Sequence, residues 1–154
     1  MNQQPKSAIP VWYWVIAAVA LFWNLLGCLF FAVEMFGQEA AIQSMTEPQK
    51  EWARSTPGWI YIVYGLAVTT GVAGSLGLLL RKGWTIPVFA ICLAAVIVQM
   101  AYTMLLGGGL QVMGPSGAVM PSLVIAIAAA LLGFSWFARR SGWLGPARPT
   151  AERE

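Results

Sequence analysis

The sequence contains no histidine and no aspartate, and only 10% of its 154 residues are charged. The lack of histidine excludes haem with a histidine ligand, His-ligated zinc or copper, and Ser-His-Asp hydrolysis. The lack of aspartate excludes a catalytic aspartate pair. We therefore expect a protein that is not an enzyme and that carries no cofactor and no metal.

Charge is too scarce, and placed too near apolar sequence, for a nucleic-acid-binding protein. Nine Lys and Arg residues oppose six acidic residues, which gives a net charge of +3. The basic residues flank hydrophobic stretches, a pattern typical of topology signals and of contacts with lipid phosphates. The candidate lipid-head contacts are two pairs, Arg81 with Lys82 and Arg139 with Arg140.

Hydrophobic sequence is abundant, at 58% of the chain. Four stretches are long enough to cross a hydrocarbon core of ~30 Å. They cover residues 12–36, 58–80, 84–106 and 119–138. The sequence therefore predicts one all-α domain over residues 1–154, an integral-membrane bundle of four transmembrane helices.

Three further segments connect or follow these spans. Residues 37–57 form a polar loop, in which Thr46 and Gln49 have the spacing of a capping box and predict a short surface helix at about Glu47–Ser55. Residues 107–118 form a glycine-rich loop without charge, which is either a flexible connection or a re-entrant loop. Residues 139–154 form a basic tail.

The distribution of basic residues predicts the orientation in the membrane. With the N-terminus inside, the inner segments hold seven Lys and Arg residues, whereas the outer loops hold only Lys50 and Arg54. Loops rich in Lys and Arg stay in the cytoplasm. We expect a multi-pass protein of a bacterial inner membrane, with both termini cytoplasmic.

Small residues at helical spacing predict one packing face on each span, because close helix contact in lipid depends on them. The predicted faces are Ala17, Ala20, Asn24, Gly27 and Cys28 in span one, Ala67, Thr70, Gly71, Gly74 and Ser75 in span two, Cys92, Ala95, Gln99, Tyr102 and Thr103 in span three, and Ser122, Ala126, Ala129, Ala130 and Gly133 in span four. Such faces pack within one chain or between copies, and packing within the chain is the preferred interpretation.

Five side chains are candidates for polar packing or for contact with a solute: Trp23, Asn24, Thr70, Gln99 and Tyr102. Asn24 lies near the predicted midplane at the depth of Thr70, and Gln99 lies ~5 Å nearer the outside at 1.5 Å per residue. Amides inside a membrane form hydrogen bonds between helices or contact a ligand. Packing is the preferred interpretation here.

Glu34 is the only acidic residue within a predicted span. It lies ~15 Å outward of the midplane by helical rise, which places it at the outer interface. A carboxylate there stays ionised, in water or paired with Arg54 or Lys50. An interfacial role is preferred over proton coupling, because a coupling group should be shielded from bulk water.

Four motifs resemble a group of small bacterial inner-membrane proteins of about this length, some of which carry the label sugar transporter. They are W-N-L-x-G in span one, E-P-Q-K-E-W-A-R-S-T-P-G-W in the outer loop, L-L-L-R-K-x-W between spans two and three, and V-Q-M-A-Y in span three. The turn between spans two and three also resembles DoxX-type four-helix proteins. The glutamate that this second family places in its second helix is missing here.

Two functions stay open at this point. The first is a small accessory or lipid-interacting component of the membrane, without catalytic chemistry. The second, which the resemblance implies, is a permease for a small solute such as a sugar, acting as an oligomer. The expected partners are membrane lipids and either further copies of the chain or a larger membrane complex.

Overall fold

The computed structural model describes residues 9–145. Within these residues the α-helices are α1 (Val11–Phe36), α2 (Gln38–Gln43), α3 (Glu47–Ser55), α4 (Gly58–Leu79), α5 (Thr85–Ala101), α6 (Gly109–Met113) and α7 (Val119–Arg140). A π-helical turn, Tyr102–Leu106, extends α5, and a 3₁₀ turn, Pro115–Ala118, leads into α7. Most of the predicted basic tail, residues 146–154, lies outside the described part of the chain.

Four of these helices are long and apolar enough to cross a membrane: α1, α4, α5 with its π-helical turn, and α7 with its 3₁₀ turn. This confirms the prediction of an all-helical chain with four candidate spans. Helix α3 occupies the stretch where the sequence predicts a short helix, and the Thr46 N–H donates to Gln49 Oε1 at 3.0 Å, as in a capping box.

The helices pack in the spatial order α1, α4, α5, α7. We call the end of this bundle that carries α2, α3 and α6 the loop end, and the opposite end, with the α4–α5 turn, the turn end. Helix α4 lies between α1 and α5, and its buried Gly71, Gly74, Ser75 and Gly77 permit this close packing. A Cβ added at Gly74 would lie 2.8 Å from the Phe89 ring, so only hydrogen fits there.

For span four, the preferred prediction that its small face packs within the chain is wrong. Its residues Ser122, Ala126, Ala129, Ala130 and Gly133 are all exposed on the outside of the bundle. Helix α7 instead turns its Leu131 and Ser135 side inward, because Phe134 packs against Trp12 and Tyr13 with ring centroids 6.0 and 5.7 Å apart. These aromatic contacts, and not the stripe of small residues, determine which side of α7 faces the interior of the bundle.

The α4 helix ends in a Schellman motif that has an arginine where glycine is usual. The Lys82 N–H donates to Gly77 O at 2.9 Å, and the Arg81 N–H donates to Leu78 O at 3.0 Å. Arg81 has φ = 56°, in the left-handed region that disfavours residues with a Cβ. Its side chain compensates, because Nε donates to the backbone oxygen of Trp143 at 2.7 Å.

The α7 helix ends in the same motif and then folds back onto that arginine. Gly142 has φ = 74°, and the Trp143 N–H donates to Ala138 O at 2.9 Å. The Gly145 N–H donates to Arg81 O at 2.9 Å. Residues 141–145 are therefore docked against the α4–α5 turn, and Trp143 is buried there.

The close contact between Gly74 and Phe89 allows the packing of α4 against α5 to be tested. We expect Gly74→Ala to lower the free energy of unfolding by about 1–3 kcal/mol, because the added methyl group overlaps the Phe89 ring. Gly133→Ala is the matched control, since a Cβ there meets nothing within 4 Å. Unfolding of the purified variants in detergent, followed by circular dichroism, measures both, and equal losses would contradict the packing described.

Candidate functional site

A cavity with a volume of about 350 Å³ lies between α1 and α7, with α4 and α5 behind it. This volume falls in the range of small-molecule sites, roughly 300–1,000 Å³. The lining is mostly apolar: Trp23, Asn24, Leu26, Gly27, Phe30, Tyr64, Ala67, Val68, Phe89, Cys92, Val96, Gln99, Met100, Met120, Val124, Ile127, Ala128 and Leu131.

The least covered part of the cavity wall lies between α1 and α7. Helix α7 packs along α5, and its contacts with α1 are aromatic ones near the turn end, such as Trp12 with Phe134. Phe30 of α1 lies on one wall of the cavity and Met120 of α7 on the other, both towards the loop end. Phe30 is 63% exposed and Met120 is 59% exposed. If the four candidate spans lie in a bilayer, this part of the wall faces lipid and not water.

Asn24 forms a hydrogen bond between two helices at the edge of the cavity. Its Nδ2 donates to Ala20 O at 2.8 Å within α1 and to Ser75 Oγ at 3.1 Å on α4. Its Oδ1 occupies the space that a Cβ at Gly71 would take. Thr70, the expected neighbour, bonds instead to Leu66 O of its own helix and does not line the cavity.

The other three candidate side chains divide between the cavity and the loop end. Trp23 and Gln99 line the cavity with Asn24, and Gln99 is only 8% exposed. Tyr102 does not line it, because its ring packs edge-on against Trp59 with centroids 4.9 Å apart. The structure therefore brings together three of the five predicted polar candidates.

Ser75 and Tyr13 use their hydroxyl groups in contacts between helices that were not foreseen from the sequence. Ser75 is the partner of Asn24, and its own hydroxyl donates to Gly71 O at 2.9 Å. The fully buried Tyr13 donates its hydroxyl to Leu78 O at 2.6 Å. Ser75 belongs to the predicted small face of span two, so its helical spacing indicated that it would face a neighbouring helix. Nothing in the local sequence indicates that Tyr13 forms a hydrogen bond with Leu78.

At the loop end the exposure of Glu34 fits a solvated carboxylate, one of the two expected environments, and Lys50 pairs with a different acidic residue. Glu34 is exposed, and Lys50 forms its ion pair with Glu47 at an Nζ–Oε1 distance of 2.7 Å. This hydrogen bond from Lys50 is the main reason that the pKa of the Glu47 carboxyl lies below its usual range. Arg54 and Lys50 line a wide second cleft of about 620 Å³ between α2, α3 and the start of α4.

The four residues of the two basic pairs at the turn end, Arg81 included, are all exposed. The Arg140 guanidinium lies 4.1 Å from the centre of the Trp136 ring. Arg81 also holds Trp143 through Nε, so one of its donors is already engaged. Contact with anionic lipid heads stays a prediction for all four residues.

The described part of the chain has no group of three or more cysteine and acidic side chains that could hold a metal ion. Cys28 and Cys92 are free thiols, and the Cys92 Sγ donates to Ala67 O at 3.3 Å. Comparison of the chain with protein-family models, with curated proteins and with solved structures found no match. The function is therefore argued from the cavity, and the resemblance stated above stays a prediction.

The hydrogen bond between Asn24 and Ser75 is measurable as a coupling energy. In a double-mutant cycle of Asn24→Leu and Ser75→Ala, we expect about 0.6 kcal/mol of coupling and at most ~1.7 kcal/mol, as found for polar contacts between membrane helices. The matched control pairs Asn24→Leu with Ser135→Ala, because Ser135 is also buried but bonds within its own helix. Equal coupling in the two cycles would contradict the assignment.

Proposed function

We propose that the chain is a multi-pass protein of a bacterial inner membrane that binds an apolar constituent of the membrane, without catalysing a reaction. The observation that carries this proposal is the cavity of about 350 Å³ between α1 and α7, which has a mostly apolar lining and the exposed apolar residues Phe30 and Met120 on its two walls. A small accessory or lipid-interacting component is the corresponding role in the cell.

A hydrocarbon chain suits this cavity for a physical reason. An empty cavity deprives its lining atoms of dispersion contacts, and an apolar wall binds water poorly. Lipid chains surround the exposed wall at high local concentration, and one of them restores these contacts without desolvating any charge. A sugar, by contrast, needs many hydrogen-bonding groups, whereas the amide donors of Asn24 are already engaged with Ala20 and Ser75.

A small-solute permease is the second candidate, because Trp23, Asn24 and Gln99 share the cavity wall. Such a permease would need a path to the turn end. There Trp12, Tyr13 and Trp143 pack ring against ring, with centroid distances of 5.2 Å for Trp12–Trp143 and 5.7 Å for Tyr13–Trp143. Transport would require this cluster to open, which makes the permease the less favoured function.

The proposed orientation follows from the basic residues. Seven of the nine Lys and Arg residues belong to segments at the turn end and the two termini, and two belong to the loop end. Because positively charged segments stay in the cytoplasm, we place the turn end inside and the least covered part of the cavity wall in the outer half of the membrane.

Filling the cavity tests the proposed function. We expect Ala128→Trp to lower the amount of lipid that copurifies with the protein at least tenfold, because Ala128 is 8% exposed and lines the cavity. Ala129→Trp is the matched control, since it places the same indole on the outside of α7. Native mass spectrometry of gently extracted protein measures the bound lipid, and thermal unfolding confirms that both variants are folded.

Two results would contradict lipid binding. One is wild-type protein that carries no lipid after gentle extraction, and the other is equal retention of lipid by the Ala128 and Ala129 variants. Uptake of radiolabelled glucose by proteoliposomes, abolished by Ala128→Trp and not by Ala129→Trp, would favour the permease instead.

The orientation has its own test. We expect alkaline phosphatase to be inactive when it is fused after Ala138 and active when it is fused after Gln111, because only the loop end faces the periplasm in this proposal. Immunoblots of both fusions control for expression. An active fusion after Ala138 would reverse the orientation, and the basic residues would then lie mainly outside.

A further inference from the structure

Arg81 occupies a backbone position that favours glycine, and its side chain makes a contact that glycine cannot make. Its φ of 56° lies in the left-handed region, where a Cβ is unfavourable. Residues in this region persist where surrounding contacts hold them, and they are common at switches. Here such contacts come from residues 141–145, which we call the strap.

The strap is bonded to Arg81 at two points, one on each side of Leu144. Arg81 Nε donates to Trp143 O at 2.7 Å, and Arg81 O accepts from the Gly145 N–H at 2.9 Å. The first bond has a charged donor, which makes it stronger than a bond between neutral groups. Because the strap begins directly after α7, Arg81 ties the end of α7 to the end of α4.

The strap places the Trp143 ring between the ends of α1 and α7. Its centroid lies 5.2 Å from that of Trp12 and 5.7 Å from that of Tyr13, both on α1. On the other side it lies 5.4 Å from that of Phe137 on α7. Since α7 packs mainly along α5, this buried indole supplies a large share of the contact that joins α1 to α7.

The cluster around Trp143 is also the floor of the cavity. Phe89 and Leu131 are the lining residues of α5 and α7 nearest the turn end, and both belong to the same hydrophobic cluster as Trp143. Along α7 this cluster extends from Leu131 to Ala138, or ~10 Å by helical rise. Within residues 9–145, this cluster therefore lies between the cavity and the turn end.

We propose that the strap is a gate. Docked on Arg81, it keeps the turn end of the cavity closed, and its release lets α1 and α7 part there and opens the cavity to that end. The contacts of α4 with α1 and α5, at Ser75 and Gly74, stay in place in both states. The inference goes beyond the proposed function, because it concerns access to the cavity and not the ligand.

Cys92 is a native probe of this access. It lines the cavity about one turn from Phe89 and is 5% exposed. The test uses full-length protein in detergent that carries Cys28→Ala, so that Cys92 is its one thiol. A permanently charged thiosulfonate reacts with Cys92 only when water reaches the cavity, and mass spectrometry follows the reaction against time.

Arg81→Gly separates the gate from a merely structural contact. Glycine keeps the left-handed end of α4 and removes the side chain that holds the strap. We expect Cys92 to react at least about tenfold faster, which is the effect of losing one hydrogen bond from a charged donor. The midpoint of thermal unfolding should change little, since relief of the strained φ offsets the lost contact.

Two further variants complete the comparison. Trp143→Ala removes the indole and keeps Arg81, and it should accelerate the reaction of Cys92 at least as much. Lys82→Gln is the matched control, because it removes the neighbouring exposed cation and leaves Arg81 in place. Its reaction rate should equal that of the protein with Arg81 and Trp143 intact.

Three results would overturn the gate. The first is an unchanged reaction rate of Cys92 in both Arg81→Gly and Trp143→Ala. The second is a lower unfolding midpoint of Arg81→Gly without faster reaction, which would make Arg81 a residue that only stabilises the fold. The third is equal acceleration by Lys82→Gln, which would assign the effect to lost charge. Lipid retention does not enter these outcomes, so the gate and the proposed function fail separately.

Discussion

Close approach of α4 to two neighbours at once is the constraint on which the rest of the bundle depends. Lipid gives apolar helices little reason to associate, so backbones must come near or polar groups must meet. Helix α4 does both, with Gly74 under the Phe89 ring and Ser75 bonded to Asn24. Helix α7 has no such contact with α1 and lies against α5 instead. The cavity is the space that this unequal packing leaves between α1 and α7.

Much of the architecture could be predicted from the sequence, because the signals involved are local. Runs of about twenty apolar residues specify four helices whatever their neighbours are, and Thr46 with Gln49 specifies the start of α3 through bonds within one turn. The small face of span two was predictable for the same reason. Its glycines and Ser75 stand on one side of a helix that is otherwise lined by larger residues.

The features of the fold and of the cavity that could not be predicted depend on contacts between residues far apart in the chain. Small residues occupy several sides of α7, so spacing alone did not identify the buried side, and Phe134 against Trp12 and Tyr13 decides it. The cavity was not predictable, since its existence depends on where α1 and α7 stand relative to each other. For Gln99 the sequence indicated a polar group in the right helix, but only the packing places it on the cavity wall.

The docking of residues 141–145 on the α4–α5 turn has a consequence for how the protein is made. A chain is synthesised from its N-terminus, so α1, α4 and α5 leave the ribosome before α7. The contacts from Arg81 to Trp143 and from Gly145 to Arg81 form only when the last of these segments arrives. Until then the groove beside α1 has one wall missing along its whole length. The cavity therefore receives its α7 wall last, after the other three long helices have been made.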